Sequence, residues 1–271
     1  MSRTKAELRA ALATLPGSKA LVMTMGALHE GHLTLVAEAR RRAEHVIVSI
    51  YVNPLQFGPN EDFDSYPRDL QRDLAALGEV DLVFAPSDEE MYPREPLVRI
   101  DPGPVATILE GATRPTHFAG VLQVVAKVMI AVGPDVAIFG QKDAQQLALV
   151  TTMVEDLDLG VEIVAAPIAR DVDGVARSSR NAYLSPEERV QARALSRALR
   201  AGQAASRPAE ALAAARAVLE NAPGVRLDYL VLVDPVTFTD LKPGAERGLL
   251  AVAAWVGTTR LIDNAIVTLR S

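Results

Sequence analysis

The chain has 271 residues, 49% hydrophobic and 23% charged, with a net charge of −6, four histidines and no cysteine. That composition excludes a disordered chain, and the lack of cysteine excludes disulfides, thiolate chemistry and cysteine–zinc sites. No basic run marks a nucleic-acid binder, since Arg40, Arg41 and Arg42 read as the solvated end of a helix, and no apolar stretch reaches the roughly 18 residues that a membrane span needs.

Residues 1–20 are charged and amphipathic without an apolar core, so a cytoplasmic location is expected. KALVMTM then reads as a buried strand, and residues 31–43 as a helix. HVIVSIYVN is a second strand, followed by the turn-rich loop PLQFGPNEDFDSYP and a helix over 69–77. VDLVFAP is a third strand, GPVATILEG a short helix with proline in its first turn, and FAGVLQVVAKVMIAV a long apolar helix. PDVAIFG is a fourth strand, KDAQQLALVTTMVEDLDL a helix stopped by Gly160, and VEIVAAPIA a fifth strand. Apolar strands alternating with helices predict an α/β class: a Rossmann-like parallel sheet with helices on both faces, over residues 1–169. The pattern then changes. Ser185, Pro186 and Glu188 spell a capped helix start, a second alanine-rich helix follows, and RLDYLVLVD, GLLAVAAWV and TRLIDNAIV read as strands. Residues 170–271 are therefore expected to form a smaller α+β domain.

Ligands of open parallel sheets sit at the carboxyl ends of strands. Four unusual segments fall there: TMGALHEGH, NPLQFG, FGQKDAQQ and DGVARSSRN. In the first, His29 and His32 stand three apart, so a helical turn would place them on one face. Gly31 would let a flat ring approach the backbone, and a helix N-terminus offers N–H groups to phosphate. The same pair can instead be capping histidines. Metal ligation would need further ligands, and His45 and His117 are the other two histidines. Asn53 and Gln56 offer uncharged amides, or simple turn chemistry. Lys142 can neutralise phosphate charge, with Gln146 one helical turn on, or can decorate a first turn with Asp143. Arg177, Ser178, Ser179 and Arg180 make a phosphate clamp or a generic turn, and Arg114 and His117 add a cation and an imidazole. No P-loop, no glycine-rich dinucleotide fingerprint and no serine elbow is present.

His-x-Gly-His after the first strand, with a basic Ser-Ser-Arg loop after the fifth, resembles the nucleotidyl-transferase superfamily. More narrowly, TMGALHEGHLTLV, VSIYVNPLQFGPNEDFDSYPRDL, RPTHFAGVLQVV, FGQKDAQQL, SSRNAYLS and RLIDNAI, in that order, resemble the pantothenate synthetase (pantoate–β-alanine ligase) family from about residue 21 onward. The resemblance implies ATP-dependent joining of pantoate to β-alanine through a pantoyl adenylate, with release of pyrophosphate and AMP, Mg²⁺ accompanying ATP, and a homodimer. It implies that Met25, Gly26, Ala27, Leu28, His29, Glu30, Gly31 and His32 line the ATP site, with His29 and His32 on phosphate and His32 catalytic. Gly140, Gln141, Lys142 and Asp143 would hold ribose and phosphate, and Ala169 would meet adenine through its backbone. Arg177, Ser178, Ser179 and Arg180 would close over the triphosphate. Lys142, Ser178, Ser179 and Arg180 count with the histidines as catalytic. Gln56 and Gln146 would hold pantoate, Gln56 also facing β-alanine, with Asn53, Tyr66, Arg114 and His117 in support. Asp73 is the candidate carboxylate near the metal. An acyl adenylate must be kept from water, so the second domain and the loop from Asn53 to Tyr66 are the expected lids. Gln141, Ala144 and Arg177 depart from the family's usual residues. Two rival readings are another nucleotidyl-transferring enzyme, which would lack the NPLQFG and KDAQQ pair, and a non-enzymatic nucleotide-binding module.

Overall fold

Residues 19–24, KALVMT, are apolar on both faces of an extended chain, which suits a strand covered on both sides. In the computed structural model, which describes residues 1–59, 61 and 63–270, they form β1 (Lys19–Thr24) in the middle of a five-stranded parallel sheet. The chain divides into two compact units, residues 1–140 with 145–166, and residues 141–144 with 167–271.

In chain order the first unit contains α1 (Lys5–Leu12), β1, α2 (Glu30–Arg42), β2 (His45–Ile50), α3 (Leu70–Leu77), β3 (Leu82–Phe84) and α4 (Asp88–Met91). Then come α5 (Glu110–Thr113), α6 (His117–Val132), β4 (Val136–Gly140), α7 (Ala144–Asp156) and β5 (Glu162–Ala166). The strand order is β3-β2-β1-β4-β5, all neighbours parallel. Chain direction away from β1 reverses between β1 and β4, which makes their carboxyl ends the switch point where such sheets bind ligands. Strand alternation splits the core in two. Leu21, Ile47 and Phe84 pack with Leu8, with Phe118 and Met129 of α6, and with Leu149 of α7. Ala20, Val22 and Val48 pack with Val36 and Ala39 of α2 and with Leu77 of α3. Each fully buried Leu, Ile or Phe contributes about 1.5–3 kcal/mol, so both faces are firmly covered.

The second unit contains α8 (Pro186–Gln203), α9 (Pro208–Glu220), β6 (Val225–Val233), β7 (Arg247–Val256) and β8 (Thr259–Thr268). The strands make an antiparallel sheet in the order β6-β7-β8. Leu195, Ala198 and Leu199 of α8 and Ala211 and Ala215 of α9 pack on Leu232, Leu250 and Val252. Ser185 caps α8 in the reciprocal box that the sequence spells, its Oγ taking the Glu188 N–H at 3.2 Å while Glu188 takes the Ser185 N–H at 2.8 Å. The fold class is thus the expected one: a Rossmann-like parallel sheet flanked by helices and a smaller α+β portion.

Two local expectations are corrected. GPVATILEG is not one helix but a 3-10 turn over Pro104–Thr107 followed by the four-residue α5. Lys142 and Asp143 lie in a 3-10 turn, Gln141–Asp143, ahead of α7, so Lys142 and Gln146 do not share a face of one helix.

Candidate active site

The turn after β1 is organised by a carboxylate from α3. Asp73, 2% exposed, accepts the Leu28 N–H at 2.8 Å and the Ala27 N–H at 3.2 Å. Gly26 turns at φ +83°, and a Cβ there would lie 2.8 Å from Asp73 Oδ2, so a side chain would displace the carboxylate from the turn. Ala27 is held at φ +50°, a conformation non-glycine residues rarely adopt.

His29 is the N-cap of α2, not a residue on its face. Its Nδ1 accepts the Gly31 N–H at 3.1 Å, and His32 Nδ1 accepts the His29 N–H at 3.3 Å. This is a capping box built from two imidazoles, whose ring centroids lie 4.1 Å apart. A ring that accepts at Nδ1 carries its proton on Nε2 when neutral, so both rings are donors at Nε2. Other amides of this turn also have protein acceptors. Gly26 N–H goes to Thr24 Oγ1, and the His32 and Leu33 N–H groups go to the His29 carbonyl. Imidazole donors therefore stand beside the backbone of the first turn at this helix start. Glu30, exposed in the first turn, has the sign that suits the helix dipole.

After β2, Asn53 and Gln56 are buried. Tyr92 donates its hydroxyl to Asn53 Oδ1 at 3.0 Å. The Leu55 N–H reaches the same oxygen at 3.4 Å, and Asn53 Nδ2 donates to Gln56 Oε1 at 3.2 Å and to the Gly120 carbonyl at 3.0 Å, so the amide's orientation is fixed from both ends. Gln56 is thereby turned to present Nε2, which lies 2.8 Å from Met25 Sδ. Burial first, with Asp88 nearby, pushes the Tyr92 phenol well above its usual range, so it stays a donor. Gly120 permits the approach of α6, since a Cβ there would fall 2.1 Å from the Leu55 carbonyl oxygen. His117 Nδ1 donates to the Gln56 carbonyl at 3.0 Å, and Arg114 Nη2 reaches the same oxygen at 3.3 Å. Arg114 also pairs with Glu61 and contacts His117 Nε2 at 3.2 Å. Burial raises the Glu61 carboxyl, but the Arg114 hydrogen bonds outweigh it and hold the group below its ordinary value. Tyr66 is buried and meets the Phe57 ring edge-on. Gly140 ends β4 and Gln146 is half-buried on α7, whereas its neighbour Gln145 is committed to Val105, Ile108 and Glu110.

In the second unit, Lys142 is mostly buried, with Nζ 3.6 Å from Asp143 Oδ1. Asn264 of β8 donates Nδ2 to the carbonyls of both Gln141 and Lys142. Residues 169–177 form a hairpin in which the Ala169 carbonyl accepts the Arg177 N–H at 2.9 Å. Arg177 pairs with Asp171 at 2.9 Å, so its extra charge is answered within the hairpin. Ser178 caps the 3-10 turn Ser179–Tyr183, its Oγ accepting the Arg180 N–H at 3.3 Å. Ser179 and Arg180 are half-buried.

Each expected residue thus falls into one of two sets. Residues 25–32, Asn53, Gln56, Tyr66, Asp73, Arg114, His117, Gly140 and Gln146 belong to the first unit. Gln141, Lys142, Asp143, Ala169 and residues 177–180 belong to the second. Arg114 and His117 act on the backbone of Gln56. Tyr92, Glu61 and Gly120 were missed by sequence reasoning; their signals, MYP and the glycine of FAG, acquire meaning only when distant segments meet.

Residues 1–266 match the model of the family described as pantoate-beta-alanine ligase. The pantothenate synthetase of Thermobifida fusca is 56% identical over 285 aligned positions, covering 99% of this chain and 96% of that protein. The crystal structure of the Thermus thermophilus pantothenate synthetase has a TM-score of 0.92 at 48% identity, covering 97% of this chain and 98% of that one. That of a Francisella tularensis pantoate-beta-alanine ligase, complexed with beta-gamma ATP and beta-alanine, has a TM-score of 0.80 at 34% identity over 98% of this chain and 96% of that one.

Proposed function

The chain belongs to the pantoate-beta-alanine ligase family, and from that premise we propose how its residues divide the work. The reaction is the ATP-dependent condensation of pantoate with β-alanine. The pantoate carboxylate attacks the α-phosphorus of ATP, pyrophosphate leaves, and pantoyl adenylate forms. The β-alanine amine then attacks the acyl carbon, an amide bond replaces the acyl–phosphate bond, and AMP leaves.

Charge that accumulates on the phosphates in the first step falls to His29 and His32, acting through Nε2. The observation that carries this is the double cap: both Nδ1 atoms are committed to backbone N–H groups, so both rings are oriented before any ligand arrives. Asp73 sustains that orientation by holding the turn ahead of the rings. Gln56 presents an N–H donor to the pantoate carboxylate or hydroxyls, aligned by Tyr92 and Asn53 from one side and by Arg114 and His117 on its carbonyl. Gln146 is the second pantoate amide, and Tyr66 supports the loop beside Gln56. Lys142 and Arg180 supply cationic charge for the triphosphate, Ser178 and Ser179 hydroxyls, Gly140 and Asp143 the ribose contacts, and Ala169 the adenine contact. Glu30, Met25, Gly26, Ala27, Leu28 and Gly31 form the wall against the nucleotide.

Mg²⁺ belongs to the same proposal. Among the described residues no group of three or more His, Asp or Glu side chains is arranged to hold a metal, and both Asp73 oxygens are engaged by amides. The residues present would suit an ion brought in with ATP rather than one held by the chain alone. Such an ion neutralises phosphate charge when bound. A homodimer and a cytoplasmic location complete the proposal; the support for the second is that no helix among the described residues is long and apolar enough to cross a membrane.

The test is product analysis with ATP and Mg²⁺. AMP, pyrophosphate and pantothenate are expected in equal amounts when pantoate and β-alanine are both present. ADP as the nucleotide product, or AMP release without pantoate, contradicts the assignment.

A further inference from the structure

RLIDNAI, near the end of the chain, has no place in the reaction as assigned above, yet it holds two of the molecule's few buried polar side chains. Asp263 is 3% exposed and Asn264 is 6% exposed, side by side on β8. β8 is an edge strand of its sheet, where outward N–H groups lack ladder partners. Asp263 Oδ1 accepts the Asn264 N–H at 2.8 Å and so fills that gap. An edge needs no more than that, but both side chains do more.

Asn264 Nδ2 donates to the Gln141 carbonyl at 2.9 Å and to the Lys142 carbonyl at 2.8 Å. Those two oxygens belong to the peptide planes on either side of the Lys142 Cα. One amide nitrogen, with both hydrogens spent, therefore fixes the backbone of Lys142 on both sides. Asp263 makes a two-pronged pair with Arg170, at 2.7 Å to Nη1 and 2.9 Å to Nη2. Arg170 Nη1 also reaches the Gly174 carbonyl at 3.1 Å, and Arg170 bridges to Ala176 across the hairpin. The outgoing arm of that hairpin runs directly into Arg177, Ser178, Ser179 and Arg180. Two neighbouring residues of one strand thus hold the two separate segments that carry Lys142 and Arg177 to Arg180.

We propose that Asp263 and Asn264 are positioning residues for adenylate formation, Asn264 acting through the Lys142 backbone and Asp263 through Arg170 and the hairpin. The proposal rests on the assignment of Lys142 and Arg180 to the triphosphate. Pre-set geometry of groups that meet developing charge is worth a large rate factor, and displacement on the ångström scale costs about 10²-fold. Gln56 and Gln146 belong to the first unit, so pantoate binding is spared.

The experiment is pantoate-dependent exchange of labelled pyrophosphate into ATP, without β-alanine, using the full chain. Asn264→Asp is nearly isosteric but puts an acceptor against two carbonyls; Asp263→Asn keeps shape and removes the charge pairing with Arg170. Each is expected to lower kcat for exchange by about 10²-fold while the pantoate KM stays near wild type, measured at a temperature where the variant is folded. Asn264→Ser, which keeps a donor hydroxyl, is expected to recover part of the rate that Asn264→Ala loses, and this comparison stands if Asn264→Asp fails to fold. A wild-type kcat in these variants, or a loss that follows melting temperature and pantoate KM alike, would overturn the positioning role. Absence of exchange in the wild-type protein would overturn the ligase assignment itself, and the proposal with it.

Discussion

Asp73 on α3 accepts the backbone N–H of Leu28 at 2.8 Å, across 45 residues of sequence, and is buried where it does so. The turn that precedes the two histidines is thus held from outside by a carboxylate and from inside by the imidazoles.

Removal of that carboxylate leaves two amides without a charged acceptor. Asp73→Ala is expected to destabilise the protein by about 3 kcal/mol, since hydrogen bonds to charged groups contribute roughly 1.5–3 kcal/mol each. Urea unfolding measures this, and adenylate formation is expected to fall more than stability alone explains. Unchanged activity in a folded Asp73→Ala protein would contradict the role given to the turn.

Tyr92→Phe keeps the ring and deletes the donor to Asn53. The Asn53 amide keeps the Gly120 carbonyl and the Leu55 N–H but loses its shortest bond at Oδ1, so Gln56 is held less firmly. The expected outcome is a pantoate KM raised about tenfold, as loss of one hydrogen bond of about 1.4 kcal/mol implies, with the ATP KM unchanged. Steady-state kinetics with each substrate varied in turn separates the two; an effect on ATP alone would contradict the relay.

Gly120→Ala places a Cβ where the Leu55 carbonyl stands, 2.1 Å away. Neither α6 nor the 3-10 turn Pro54–Gln56 can yield cheaply, because backbone meets backbone. Destabilisation of about 2–3 kcal/mol is expected, in line with overpacked cores. A wild-type unfolding midpoint would show that the approach is looser than described.

Asp173 carries a pH prediction. Its hydrogen bonds from Arg189 hold the carboxyl at about 2, against burial, with the Val175 N–H assisting. The folded value lies below the ordinary 3.8, so the stabilisation is present in full above that value and is lost as pH falls through about 2. The stability advantage of wild type over Asp173→Asn is therefore expected to shrink as acid is added across that window. Unfolding midpoints in a pH series give the difference, and a gap independent of pH would contradict the pairing.

Much of this was legible in the chain. Apolar runs such as HVIVSI and VAIFG are strands because both faces are covered, and the Ser185 to Glu188 box is local chemistry that sequence spells outright. The histidine pair was visible, and capping was one of its two readings; the reciprocal box between the two rings was not. That His29 would take the Gly31 N–H and His32 the His29 N–H follows from backbone dihedrals, which residue types alone do not give. QKDAQQ consists largely of good helix formers, yet residues 141–143 form a 3-10 turn whose first two carbonyls accept from Asn264, more than 120 residues away in sequence. Arg114 and His117 were expected in support of the pocket, but what they support was not legible: their hydrogen bonds reach the Gln56 carbonyl from about 60 residues away in sequence.

The measurement that bears most directly on the central claim compares two replacements of His32. Asparagine supplies an acceptor near the position of Nδ1 and keeps the cap on His29, but has nothing at Nε2. Glutamine places an amide nitrogen near Nε2. Pantoate-dependent exchange of pyrophosphate into ATP is expected to fall by about 10²–10³-fold in His32→Asn, as for loss of one transition-state donor, and to be partly retained in His32→Gln. Full exchange in a folded His32→Asn protein would contradict the claim that the Nε2 donor, held in place through Nδ1, meets the charge on the phosphates.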